Sequence, residues 1–216
     1  MVSEAVSLDT SSPEPLIMRG QIYLRLASIA RAGGKPWGNY NVHVESARAD
    51  FDRAIQLDRK NPWAWLGKGD VQTWLQRVDD AAASYEQTLT IDPLFDIARQ
   101  RLISLYTAQA HRQAKQESWE QALATLNRLL DEPISASWIP EQKEAYLLRS
   151  IVFQQLNQSD QALSDLSTVI RVDPQNLDAL ANRAMIYRNR LQGSLARTDF
   201  EQACLLGSNP ACEQLP

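Results

Sequence analysis

Residues 62–94 read PWAWLGKGDVQTWLQRVDDAAASYEQTLTIDPL, and this stretch decides the fold. Its first half keeps Trp65, Leu66, Gly69 and Trp74 on one side. After a turn at 77–79, Ala81, Ala82, Tyr85 and Leu89 recur at spacings of three and four, the period of an amphipathic helix. Pro93 removes a backbone donor and stops the second helix. Counted from Trp65, the residues Gly69, Ala81, Tyr85 and Pro93 stand at offsets 4, 16, 20 and 28, and Ser150, Ala162, Leu166 and Pro174 stand at the same offsets from Tyr146. A helix pair that returns at a period of about 34 residues cannot bury its own apolar face, so it stacks on its neighbours. Such a stack is expected to hold another protein.

The pattern resembles the tetratricopeptide repeat. That repeat has a large aromatic early in its first helix and a small residue four positions later. Its second helix carries alanine, an aromatic and a second small residue. Trp65, Gly69, Ala81, Tyr85 and Pro93 match, with Thr88 at the second small position. Gly69 and Ala81 fall where paired helices approach too closely for a larger side chain. The resemblance implies an all-α, right-handed α-solenoid of about five helix-turn-helix repeats that serves as a protein interaction module.

The rest of the chain is read outward from this frame. Ala47, Phe51 and Ala54 place a second helix before Pro62, and Leu16, Gly20 and Tyr23 place its partner over 15–29. Repeat 1 thus spans 14–61 with an inserted loop at 31–45, RAGGKPWGNYNVHVE, and repeat 2 spans 62–95. Repeat 3, at 96–136, puts Arg99, Leu102, Ile103 and Tyr106 in one helix and Trp119, Ala122, Leu126 and Leu129 in the next, with seven extra residues between them. Seven residues are close to two turns, so the helices can lengthen without rotating their faces. With no Gly or Pro between Leu94 and Glu132, an unusually long helix pair is expected. A linker at 137–142 leads to repeat 4 at 143–176, and the frame continues into repeat 5 at 177–210 through Leu180, Ala184, Tyr187, Ala196, Phe200 and Ala203. Residues 1–13 read as a disordered arm and 211–216 as a short cap. That cap leaves Leu195, Leu205 and Leu206 with little cover, and a homodimer through this end is one expectation.

Composition narrows the function. With 44% hydrophobic and 22% charged residues the chain has the core of a folded domain or array rather than a disordered one. A net charge of -4 and scattered Lys and Arg argue against nucleic acid as partner. Residues 1–16 have no basic start followed by an apolar run, and no stretch approaches the roughly 20 apolar residues of a membrane span. The expectation is a cytoplasmic protein, peripheral at most to a membrane complex. His43 and His111 lie far apart, no metal-ligating spacing occurs, and no nucleophile elbow or phosphate loop is present, so no catalytic residue, metal or cofactor is assigned.

Two departures from the repeat draw notice. Trp37 and Tyr40 sit in the inserted segment, where they either anchor a partner or fold back over the first helix pair. Cys204 and Cys212, in FEQACLLGSNPAC, resemble the paired cysteines of cysteine-rich α/α-repeat proteins, which staple a second helix to the one after it. Packed thiols, a disulfide, and a metal or redox role are the readings of that pair.

In tetratricopeptide arrays the first helices line the concave face. The resemblance therefore implies a groove built on Met18, Trp63, Asp70, Trp74, Ile97, Arg101, Leu148, Ile151, Asn182 and Met185. Chaperone-binding members clamp a terminal carboxylate with lysine, asparagine and arginine. At those places stand Leu66, Asp70, Arg101, Glu144 and Leu148, so that clamp is absent. The expected ligand is a helical or extended protein segment with apolar side chains in pockets. The alternative is a structural subunit built permanently into a larger complex.

Overall fold

A computed structural model describes residues 12–33, 38–130 and 139–215 of the chain. Eleven helices form among them: α1 (Glu14–Ala32), α2 (Gly38–Leu57), α3 (Pro62–Trp74), α4 (Val78–Ile91), α5 (Asp96–Lys115), α6 (Trp119–Leu130), α7 (Ile139–Gln155), α8 (Ser159–Val172), α9 (Leu177–Asn189), α10 (Gly193–Leu205) and α11 (Asn209–Cys212). The chain divides into two compact units, Met1–Leu105 and Tyr106–Pro216, with the boundary inside α5.

Helix starts follow local chemistry. Asn61 caps α3, its side-chain oxygen accepting from the amides of Trp63 at 3.0 Å and Ala64 at 3.3 Å, with Pro62 in the first turn where its missing donor is harmless. Asn176 caps α9 by accepting from the Ala179 amide at 3.0 Å. Four inter-helix turns share one conformation. Gln76, Glu117, Asn157 and Leu191 all have φ between 56° and 60°. In each turn the next amide closes back on a carbonyl five residues earlier: Arg77 to Gln72, Ser118 to Gln113, Gln158 to Phe153 and Gln192 to Tyr187, at 2.8–2.9 Å. This is the left-handed helix ending usually given to glycine.

In the first unit, Val44, Ala47, Phe51 and Ala54 of α2 are buried against Leu16, Ile17 and Ala27 of α1 and Ala64 and Val71 of α3. Phe51 fills a slot with glycine on both sides: a Cβ at Gly20 would lie 2.8 Å from its ring and one at Gly67 only 2.1 Å away. Gly69 does the same for Tyr85, whose ring lies 2.5 Å from where a Cβ would stand. In the second unit one cluster joins Phe153, Leu166, Val169 and Ile186, and another joins Leu180, Ala184, Phe200 and Ala203.

Three local expectations are corrected. The loop over 31–45 is helical from Gly38 onward, and Tyr40 lies in α2 rather than in a loop. The Gly and Pro content of the segment suggested coil, but the buried stripe of α2 runs back through Val44, and tertiary packing overrides weak propensity there. Trp37 lies outside the described residues. The linker at 137–142 is shortened, because α7 already begins at Ile139. α11 starts at Asn209, inside the range assigned to repeat 5, and Cys204 and Cys212 are joined as a disulfide that ties it to α10. The seven extra residues of repeat 3 all enter its first helix: α5 has 20 residues where α3 has 13.

Candidate peptide-binding site

In the first unit, α3 and the first half of α5 bring four of the expected groove residues together. Trp63 and Ile97 hold the same place in consecutive repeats, and both are exposed. Trp63 is not isolated, since its ring meets the edge of Phe95 at 4.8 Å between centroids. Two turns further along α3, Asp70 accepts from the Tyr85 hydroxyl at 2.8 Å and from Nε of Arg101 at 3.0 Å. The Tyr85 oxygen also meets the Thr73 hydroxyl at 3.0 Å. Burial raises the Asp70 pKa, against the opposing pull of Arg101 and Tyr85, and burial likewise pushes the Tyr85 phenol up. An apolar step beside a moored guanidinium is the result.

Other expected groove residues are placed differently. Trp74 is half-buried and covered: Tyr40 meets its ring edge at 5.6 Å, and the Arg31 guanidinium lies 5.5 Å above it. Tyr40 therefore folds inward on the first unit's core. Met18, 64% exposed, opens a stripe on α1 that continues through Ile22, Leu26 and Ile29, all exposed. In the second unit Ile151 and Met185 are exposed at matching places on α7 and α9, and Asn182 is half-buried. Leu148 is corrected: at 5% exposure it belongs to the core, because its side of α7 faces the helices packed on it. Leu195, Leu205 and Leu206 are exposed on and just after α10.

A set of residues that the repeat pattern alone did not single out joins first to second helices. Arg149 donates to both oxygens of Asp165 at 2.8 and 2.9 Å, and Arg183 to both of Asp199 at 2.8 Å. Arg19 and Asp50 make the same fork across the inserted segment. Donating to the carboxylates of Asp199 and Asp50 raises the pKa of Arg183 and Arg19. The third arm of the guanidinium reaches the preceding second helix, Arg149 to Asn127 at 3.0 Å and Arg183 to Ser167 at 3.1 Å. Ser84 with Gln72 and Thr125 with Gln113 make a neutral hydrogen bond in the remaining two repeats. The shared offset of 16 between Arg149 and Asp165 and between Arg183 and Asp199 was the signal that could have found them.

Among the described residues no helix is long and apolar enough to cross a membrane, and no three metal-ligating side chains cluster.

The family model of the tetratricopeptide repeat matches residues 41–94. The crystal structure of YrrB, described as a TPR protein with an unusual peptide-binding site, is similar at a TM-score of 0.53 and 20% identity, covering 96% of this chain and 93% of that one. A crystal structure of MamA protein is similar at a TM-score of 0.50 and 17% identity, covering 91% and 96%. No curated protein matches the chain. The matched segment spans the second helix of repeat 1 and all of the stretch from which the repeat was read: residues 41–94 carry a tetratricopeptide repeat, and the helix pairs around it share the fold of these solved structures.

Proposed function

We propose that the chain is a non-enzymatic protein interaction scaffold or assembly factor that takes a partner segment on the face of its first helices. One observation carries this reading. Large apolar side chains stay exposed at matching places on consecutive first helices, Trp63 and Ile97 in one unit and Ile151 and Met185 in the other. Isolated exposed apolar residues are ordinary, but within each unit their recurrence at the same place in two repeats is what a surface for a partner segment needs. That YrrB is described as having a peptide-binding site agrees with this reading. The test is affinity capture from native lysate with wild type beside a Trp63→Ala, Ile97→Ala variant of unchanged helicity. A specific protein lost in the variant supports the scaffold; one retained by both moves the site elsewhere.

A second reading, a structural subunit of a larger complex, rests on the stripe Met18, Ile22, Leu26 and Ile29 along α1. An obligate subunit should associate when purified alone, and light scattering at two concentrations separates the readings.

A further inference from the structure

Arg101 is held at one edge and open at the other. Its Nε donates to Asp70, itself fixed by Tyr85, while more than half of the arginine side chain is exposed and its terminal Nη groups have no partner among the described residues. A guanidinium whose orientation is already set loses little freedom when it grips a second anion, and its fork matches a carboxylate. Ile97 lies one turn back on α5, about 6 Å along the helix, with Trp63 on the neighbouring helix. From this we infer that Arg101 is the docking point for a side-chain carboxylate in an extended partner segment, two residues from an apolar side chain that rests on Trp63 and Ile97. Two extended residues cover about 6.6 Å, which matches the step from Ile97 to Arg101. The inference rests on the proposed binding face and gives its ligand a chemistry.

The carboxylate belongs to a side chain within the segment, rather than to a chain end. The face runs on past Arg101 through exposed Ser104, so a strand is free to continue. A lone guanidinium already shared with Asp70 also falls short of the several donors that a terminal carboxylate uses. Asp70 and the incoming anion occupy different edges of the guanidinium, and the Tyr85 hydrogen bond draws charge away from the Asp70 side.

The experiment uses the full chain, labelled with nitrogen-15, and three synthetic peptides followed by chemical-shift titration at Trp63 and Arg101. The first is acetyl-Gly-Ser-Leu-Gly-Glu-Gly-Ser-amide, the second carries Gln for Glu, and the third is acetyl-Gly-Ser-Leu-Gly as the free acid. The expected result is that wild type binds the Glu peptide about fivefold more tightly than the Gln peptide, and that R101Q abolishes this difference with its helicity intact. Equal binding of the Glu and Gln peptides overturns the inference and leaves the face as a binding site. Preference for the free acid overturns the internal-carboxylate assignment. If no peptide moves either resonance, both the inference and the proposed face fall.

Discussion

Arg149 on α7 and Asp165 on α8 meet through two parallel hydrogen bonds of 2.8 and 2.9 Å, with side chains only 12% and 6% exposed. Because Arg149 also reaches Asn127 on α6, one guanidinium joins a helix pair and ties it to the helix before it. Arg183 repeats the arrangement with Asp199 and Ser167. Stacked repeats tolerate sliding when only apolar surface holds them, and a directional tie at these two junctions fixes the register there. Buried ion pairs serve specificity better than they serve net stability.

Removing one partner should therefore be worse than removing both. Asp165→Ala takes the carboxylate from Arg149 in a mostly buried site and is expected to destabilise the chain by about 3 kcal/mol. Arg149→Met combined with Asp165→Leu should fall within about 1 kcal/mol of wild type. Urea unfolding of wild type, the single variant and the double variant checks this. Equal losses in the single and double variants would show that the pair itself supplies stability.

The slot around Phe51 gives a second prediction. A Cβ at Gly67 would lie 2.1 Å from a ring that is wholly buried between α1 and α3. Gly67→Ala should thus destabilise by about 1–3 kcal/mol through overpacking, although alanine favours helix over glycine. In a Phe51→Leu background the same change should cost less than half as much, because the narrower side chain leaves room. Thermal unfolding of the double-mutant cycle reads the coupling, and strictly additive losses would rule the slot out.

How much of this was legible in the sequence depends on what each feature looks like in one dimension. The spacing of small and large residues in 62–94 and 146–174 is visible because each position demands a narrow residue type. The length of α5 is visible because seven residues return an apolar stripe to the same side. The α2 extension was hidden, since Gly33, Gly34, Pro36 and Gly38 dominate local propensity while the burial of Val44 depends on α1 and α3. Of the candidate face, Trp63, Ile97, Asp70 and Arg101 were read from the frame, but a register position does not say what else lies over it. Trp74 is covered by Tyr40 and Arg31 for that reason, and Leu148 lies inside.

The shared left-handed turn leads to a third prediction. Leu191 holds φ of 60° with its side chain almost wholly exposed, so it bears the steric penalty of that conformation without packing in return. Leu191→Gly should stabilise the protein by about 0.5 kcal/mol, the relief of strain being partly offset by the greater freedom of glycine in the unfolded chain. Asn157 holds φ of 58°, yet asparagine tolerates this region, so Asn157→Gly should be neutral or slightly destabilising. Denaturant midpoints of the two variants check the contrast, and an equal response at both sites would contradict it.

The last prediction concerns Asp70, whose pKa is raised by burial despite Arg101 and Tyr85. An unfolded chain binds this proton with a pKa of about 3.9. Between that value and the raised one the folded chain holds more protons than the unfolded chain, so stability falls as pH rises through the window and stays lower above it. The amide introduced by Asp70→Asn does not titrate and still offers an oxygen to the Tyr85 hydroxyl. The stability of Asp70→Asn relative to wild type should therefore climb as the pH rises from the ordinary carboxylate value of about 3.9 through the raised one. Urea unfolding of both proteins across that range measures the difference directly. A difference that shrinks with rising pH would mean that the attraction of Arg101 outweighs the cost of burying the carboxylate, and Asp70 would then be held ionised by its partner rather than in spite of its surroundings.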